Sequence, residues 1–153
     1  SPNLISDIAM KFGSQSVVLS IQAKRINGRW EAFYENGRER SGFDVVDWAK
    51  RGQDLGAGEI LVSSVDQEGT AKGFDVQLMR MVTETVTIPV IASGGMGKLT
   101  DLEEVVDEGH VDAVAMAHVL HYGCYTVPEI RQFCVDSNIP VRRGNIVKSS
   151  ANE

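Results

Sequence analysis

The sequence predicts an α/β fold whose parallel sheet is built from consecutive βα units. Apolar runs typical of buried strands alternate four times with amphipathic helical segments, and the main strands begin near residues 17, 59, 88 and 112. Such alternation is the signature of parallel strands joined by right-handed crossovers. The 153 residues also fit a single hydrophobic core, because one core usually serves roughly 100–200 residues.

The spacing of the units indicates half of a closed barrel. A complete (β/α)₈ barrel has about 250 residues, or roughly 31 per unit, so four units take about 125. A leading helix in residues 1–13 and one β-hairpin insertion account for the remainder. We therefore expect one domain over residues 1–153, a (βα)₄ half of a TIM barrel, with four βα units in 14–142 and a flexible tail at 143–153.

The first part of the chain predicts a helix, a strand and a hairpin. Residues 4–12 place their apolar side chains on one face at helical spacing. Residues 17–21 form a nearly continuous, largely β-branched run, which is typical of a strand covered on both faces. Asn36-Gly37 marks a hairpin within residues 30–40, because both residue types tolerate positive φ.

The later elements follow in regular alternation. Strands are predicted at residues 59–64, 88–92 and 113–117, and helices at 44–55, 74–82 and 127–135. A further helix opens at Thr100, which we expect to be its N-cap, with acidic residues in its first turn. The first and last main strands, 17–21 and 113–117, are then the edges of the sheet, and both lack the lysines or prolines that usually protect an edge.

Composition narrows the function classes. The net charge of −6 argues against nucleic acid or an anionic membrane surface as a partner. No apolar run approaches the length of a membrane span, and no signal-peptide pattern opens the chain. Cys124 and Cys134 show neither CxxC spacing nor clustered metal ligands. We therefore expect a cytoplasmic protein with reduced thiols, and neither a metal nor a cofactor.

Three loops that follow strands contain chemically informative residues. They are Asp66–Thr70 (DQEGT), Ser93–Gly97 (SGGMG) and the pair Ala117-His118. Ligands bind at the carboxyl ends of parallel strands, and a glycine-rich loop before a helix lets backbone N–H groups approach an anion. The loops predict a phosphate site, with glycines that only shape a turn as the alternative.

Several long stretches, in the same order, resemble the carboxyl-terminal half of the cyclase subunit of imidazole glycerol phosphate synthase. The resemblance covers about residues 3–142 and includes the hairpin. The stretches are SQSVVLSIQAKR (Ser14–Arg25), GAGEILVSSVDQEGTAKGFD (Gly56–Asp75), IPVIASGGMGK (Ile88–Lys98), VDAVAMAHVLHYG (Val111–Gly123) and IPVR (Ile139–Arg142).

The resemblance implies a (β/α)₈ enzyme of histidine biosynthesis. That enzyme takes ammonia from a glutaminase partner and cyclises a substrate that carries a phosphate at each end, and each half of the barrel binds one phosphate. Carried over to this chain, the phosphate-binding residues are Gly69, Gly94, Gly95, Ala117 and His118. The resemblance also implies that Ser63 and Ser93 contact substrate and that Glu59 lies at the ammonia entrance.

Three positions depart from the family pattern. Gln22 replaces the aspartate that acts as general acid, and an amide cannot deliver a proton. Glu68 replaces an aspartate, and His118 replaces a small hydroxyl residue. Since the family's other essential aspartate belongs to the first half of its barrel, we expect this chain to lack both catalytic carboxylates and to be inactive alone.

Plainer interpretations of these residues remain open. Gln22 could fill the strand end, His118 could be a surface histidine, and Glu59 could be a junction charge. The other chemically suggestive side chains are expected to have solvated or structural roles: Lys24, Arg25, His110, His121, Trp30 and Trp48.

Two functions follow from the sequence. The first is the phosphate-binding half of a cyclase-like enzyme, which pairs with the other half of its barrel. The alternative is a non-catalytic phosphate-binding module that associates with itself through its open edges. Both take a phosphorylated small molecule or phosphate ion.

Overall fold

A computed structural model describes residues 1–142 as a six-stranded sheet with helices against it. The strand order is β3-β2-β1-β4-β5-β6. The strands are β1 (Val18–Ile26), β2 (Arg29–Tyr34), β3 (Glu39–Asp44), β4 (Glu59–Ser64), β5 (Val90–Ser93) and β6 (Ala113–Ala115). Strands β1, β4, β5 and β6 run parallel, whereas β2 and β3 add an antiparallel hairpin at one side.

Six helices are described in residues 1–142, and five of them were predicted, whereas the short helix His118–His121 was not. They are α1 (Asn3–Phe12), α2 (Val45–Asp54), α3 (Val76–Thr83), α4 (Thr100–Asp107), α5 (His118–His121) and α6 (Val127–Asp136), with a 3₁₀ turn at Ser14–Ser16. The predicted α/β fold with parallel strands is therefore confirmed. The half-barrel interpretation stays a prediction, and the predicted tail at 143–153 lies outside the described residues.

The two faces of the sheet differ in burial. In β4, Ile60 and Val62 are fully buried and pack in the core with Leu78 of α3 and Val105 of α4. Alternate strand residues point to opposite faces. The other face, which we call the open face, is more exposed, and Val18 of β1 keeps 50% of its surface.

The hairpin pairs with the carboxyl-terminal part of β1, beyond the predicted edge at residues 17–21. The chain turns back at Asn27 and Gly28, whose φ angles are 50° and 83°, so β2 pairs with Gln22–Ile26. The predicted turn at Asn36-Gly37 is present as well, between β2 and β3. Among the described strands, residues 18–21 of β1 pair with β4 alone, so the predicted edge is present there.

Two local predictions were wrong. Thr100 is the first helical residue of α4 rather than its N-cap, and no side chain caps that helix from Leu99. The last main strand ends at Ala115 instead of residue 117, because the chain turns into the short helix α5 directly after Ala117.

Candidate functional site

The strand register aligns polar side chains near the carboxyl end of the open face. Gln22 pairs with Ser63, Ser63 pairs with Ser93, and Ser93 pairs with Ala115. Neighbouring strands lie about 4.8 Å apart, so these four residues form one row across the parallel strands. Three predicted site residues, Gln22, Ser63 and Ser93, thus share one level of the sheet.

A cavity of about 150 Å³ opens beside this row, between the loops that follow β4, β5 and β6. Six of the predicted site residues line it: Gly69, Ser93, Gly94, Gly95, Ala117 and His118. Glu68, Ala71, Ala115, Met96 and Met116 complete the lining. The structure therefore brings the three informative loops together around one space.

The turn Gly94-Gly95 accepts only glycine. Its φ angles are 93° and 105°, which side chains other than glycine rarely adopt. A Cβ on Gly95 would lie 2.0 Å from the carbonyl oxygen of Gly73, whose N–H donates to the Gly95 carbonyl at 2.8 Å. The two loops are thus in backbone contact, and the glycines are needed for that approach.

Backbone N–H groups of the cavity-lining turn lack an acceptor among the described residues. Gly94, Gly95 and Met96 are buried and line the cavity, and within residues 1–142 none of their N–H groups donates a hydrogen bond. Buried backbone N–H groups almost always have a partner. The turn therefore offers consecutive donors that suit an anionic or carbonyl oxygen.

Asp101 holds the other end of the same loop. Its carboxylate is only 2% exposed and accepts hydrogen bonds from the N–H groups of Gly97 at 2.8 Å and Lys98 at 3.0 Å. Its second oxygen, Oδ1, has no hydrogen-bond partner in the described chain, and the Lys98 ammonium lies 4.0 Å away. Asp101 thereby fixes the loop between the glycine turn and α4.

Gln22 lies outside the cavity lining. The β2–β3 turn covers it, because a Cβ added at Gly37 would lie 3.8 Å from Gln22 Oε1 and 3.0 Å from a methyl carbon of Val65. Gln22 Oε1 is buried and has no hydrogen-bond partner among the described residues. The structure therefore separates position 22 from the glycine turn, although both lie near the carboxyl ends of the strands.

The remaining predicted residues lie apart from the cavity. Glu59 begins β4 and pairs with Val18, which places it at the amino end of the sheet, opposite the glycine turn. Lys24 and Arg25 lie over aromatic rings of the hairpin, with the Arg25 guanidinium 4.8 Å from the centre of Trp30. Ser63 is in the polar row but not in the cavity lining.

Trp30 and Trp48 have the packing roles expected of them. Trp30 is 4% exposed, and its indole N–H donates to Asp75 Oδ2 at 2.9 Å. Trp48 packs partly buried against the core and stacks on Phe43 with ring centres 5.4 Å apart.

Both cysteines are free thiols, as predicted. Cys124 is exposed, whereas Cys134 is buried, and burial raises the pKa of its thiol. His110 and His121 are exposed. Among residues 1–142, no group of three or more histidine, cysteine, aspartate or glutamate side chains could hold a metal ion. None of the described helices is long and apolar enough to cross a membrane.

Sequence reasoning missed Asp101 and Asp75. Asp75 accepts from the Leu78 N–H of α3, from Trp30 and from the Ser64 hydroxyl, so it joins α3, the hairpin and β4. An aspartate that immediately precedes an apolar helical run is an N-cap signal, and it could have revealed Asp75. Nothing local marks Asp101, since it looks like an ordinary acidic residue in a first helical turn.

Fold and site together define a parallel α/β protein with a ligand cavity at the carboxyl ends of its strands. A model of the family described as histidine biosynthesis protein matches residues 1–126. The match spans most of the 153 residues, and the chain therefore belongs to this TIM-barrel family. The predicted relation to histidine biosynthesis is confirmed at the level of the family.

Proposed function

We propose that this chain is the phosphate-binding half of a cyclase-like barrel enzyme of histidine biosynthesis. The proposal rests on the glycine turn. Gly94, Gly95 and Met96 are buried there, and their N–H groups have no acceptor within the described chain. A phosphoryl group supplies several acceptor oxygens at once. The family match and the resemblance to the carboxyl-terminal half of the cyclase subunit support the same function.

The cavity suits such a ligand in size and position. Its volume of about 150 Å³ is several times the roughly 30 Å³ that one water occupies. It lies beside Ser93 and the polar row of the open face, so the rest of a phosphorylated substrate would extend along Ser63 and Ser93. Gly69, Ala117 and His118 complete the proposed phosphate site.

The chain binds substrate in this proposal but does not complete the chemistry. The side chain at position 22 is an amide, which can donate a hydrogen bond but cannot transfer a proton near neutral pH. We propose that ammonia, supplied by a glutaminase partner, enters past Glu59 at the amino end of the sheet. In the family, the second essential carboxylate belongs to the other half of the barrel, so we expect this half not to cyclise the substrate alone.

Titration with inorganic phosphate tests the site. Gly69→Ala is the informative variant, because φ is 72° and a Cβ there meets nothing within 4 Å, so the added methyl group narrows the cavity without a clash. Gly28→Ala is the matched control, since φ is 83° and its Cβ also meets nothing within 4 Å, but it lies in the β1–β2 turn. We expect Gly69→Ala to weaken phosphate binding and Gly28→Ala to leave it unchanged.

A bulkier change at the turn should abolish binding. In Gly94→Val the new Cβ would lie 2.9 Å from the Ser64 carbonyl oxygen and 3.1 Å from Glu68 Oε2. Circular dichroism establishes whether this variant folds, and Gly69→Ala remains the deciding variant if it does not. Equal phosphate affinity in the wild-type chain, Gly69→Ala and a folded Gly94→Val would contradict the proposed site.

The catalytic part of the proposal has its own test. We expect the isolated chain to turn over the cyclase substrate no faster than a buffer blank, even with ammonia added directly. Gln22→Asp should not restore activity, because a single carboxylate supplies only one of the two proton-transfer groups. Rapid cyclisation by the isolated chain would overturn this part.

The open face favours a second candidate, a phosphate-binding module that associates with itself. Within the described sheet, β6 and the amino-terminal part of β1 each pair on one side only, and Val18 is half exposed on that face. Two copies that bury this face would protect both edges. Light scattering should then report an even multimer, and Val18→Lys should dissociate it, whereas Tyr34→Lys on the exposed hairpin should not. A monomeric wild-type chain would exclude this candidate.

A further inference from the structure

An acidic side chain from the loop after β4 lies beside the glycine turn of the proposed phosphate site. Glu68 lines the cavity, and a Cβ added at Gly94 would lie 3.1 Å from Glu68 Oε2. The carboxylate therefore lies close to the N–H groups that an anion would use. Glu68 is exposed, so solvent screens its charge in part, but a carboxylate beside the turn still disfavours a dianion. A positive charge in the cavity lining would offset this repulsion and strengthen anion binding.

Within residues 1–142, one residue of the cavity lining can provide that charge. Among the described residues around the cavity, the titratable side chains are Glu68 and His118, and the others are glycine, alanine, serine and methionine. Lys98 is the basic residue nearest to the turn in sequence, but its side chain is exposed and its Nζ lies 4.0 Å from Asp101 Oδ1. Lys98 does not line the cavity. His118 is therefore the one side chain there whose protonation can offset Glu68.

The surroundings of His118 fix its ring at the cavity wall. It lies at the start of α5 and packs against Tyr122 with ring centres 4.6 Å apart. Glu68 is the other charged residue of the described lining, while the glycine turn and β6 contribute no charged side chain to it. His121 packs on the same tyrosine, 5.0 Å from its ring, but lies outside the lining.

We propose that His118 makes anion binding at this cavity dependent on its protonation. The inference rests on the proposed phosphate site and states what regulates it. With a positive imidazole, His118 donates a charge-assisted hydrogen bond to the anion and offsets Glu68. With a neutral imidazole, the Glu68 carboxylate is unopposed, and the backbone N–H groups alone attract the ligand.

Sulfate is the appropriate probe, because it stays a dianion throughout the range in which histidine changes its charge, whereas phosphate itself titrates there. Calorimetric titrations are made at about pH 5.5 and about pH 8, on either side of the range in which histidines in general change their charge. We expect the wild-type chain to bind sulfate about five- to tenfold more tightly at the lower pH, which is the usual advantage of a charged over a neutral donor.

The three histidines of the chain allow a matched comparison. We expect His118→Ser to lose the pH dependence and to bind sulfate at both pH values as weakly as the wild-type chain does at the higher one. His121→Ser removes an exposed histidine three residues away and should keep the wild-type pH dependence. Glu68→Gln should bind sulfate more tightly than the wild-type chain at the higher pH, because the repulsive charge is gone.

Each result decides between the two proposals. Sulfate binding of equal affinity at both pH values would overturn the role of His118 and leave the phosphate site intact. A pH dependence that persists in His118→Ser, or that disappears in His121→Ser, would also overturn it. If neither sulfate nor phosphate binds at either pH, the phosphate site itself fails, and the role of His118 fails with it.

Discussion

Asp101 should contribute to stability far more than its place in a first helical turn suggests. Asp101→Ala removes the acceptor for the N–H groups of Gly97 and Lys98, which donate at 2.8 Å and 3.0 Å. A buried donor left without a partner costs about 1–3 kcal/mol. Lys98 is exposed, so its N–H can turn to water, and we expect a total loss of about 2–3 kcal/mol in the free energy of unfolding.

Urea denaturation followed by circular dichroism measures this loss. With a slope of about 1–3 kcal/mol per molar urea, the midpoint should fall by on the order of 1 M. Asp101→Asn should lose less, about 1 kcal/mol, because one amide oxygen can still accept from the loop and only the charge is removed. The matched control is Glu104→Ala, an exposed acidic residue of the same helix, which should change stability by less than about 0.5 kcal/mol.

Hydrogen exchange locates the effect. In Asp101→Ala the amides of Gly97 and Lys98 should exchange much faster than in the wild-type chain, because they have lost their acceptor. A midpoint for Asp101→Ala that equals that of Glu104→Ala, with unchanged exchange at Gly97 and Lys98, would refute the idea that this carboxylate holds the loop.

Three further predictions concern the framework. Gly95→Ala should prevent folding or lower the urea midpoint strongly, because its Cβ would lie 2.0 Å from the Gly73 carbonyl oxygen, whereas Gly123→Ala, which meets nothing within 4 Å, should cost much less. Trp30→Phe should lose about 1 kcal/mol of stability, since Asp75 loses the indole donor at 2.9 Å; an unchanged midpoint would show that this bond contributes nothing. Hydrogen bonds from the Thr126 N–H and hydroxyl hold the pKa of Glu129 below its ordinary value of 4.5. The ionised carboxylate therefore stabilises the folded chain above that pH, and this contribution is lost as the carboxylate protonates. The difference in unfolding free energy between the wild-type chain and Glu129→Gln should therefore shrink as the pH falls below 4.5, and a difference that grows on acidification would contradict the assignment.

The sequence by itself determined the elements whose signals are local. Residues 59–64 are β4 as predicted, and the hairpin at Asn36-Gly37 and the helix after Asp44 are present. Apolar periodicity and turn chemistry depend on neighbouring residues only, so they can be read along the chain. The three loops around the cavity were also identified from sequence, because every parallel strand delivers the loop that follows it to the same edge of the sheet.

Only the tertiary structure decided what surrounds each polar side chain. Gln22 is covered by Gly37 of the hairpin, Asp101 accepts from a loop instead of acting as a surface acid, and Glu68 and His118 line the same cavity. The first and last of these arrangements join segments that are distant in sequence, whereas the bonds of Asp101 span three and four residues and depend on the burial of its carboxylate. The energy of a polar group depends on burial and on its partners, and both are set when the strands and loops pack together rather than by the neighbouring sequence.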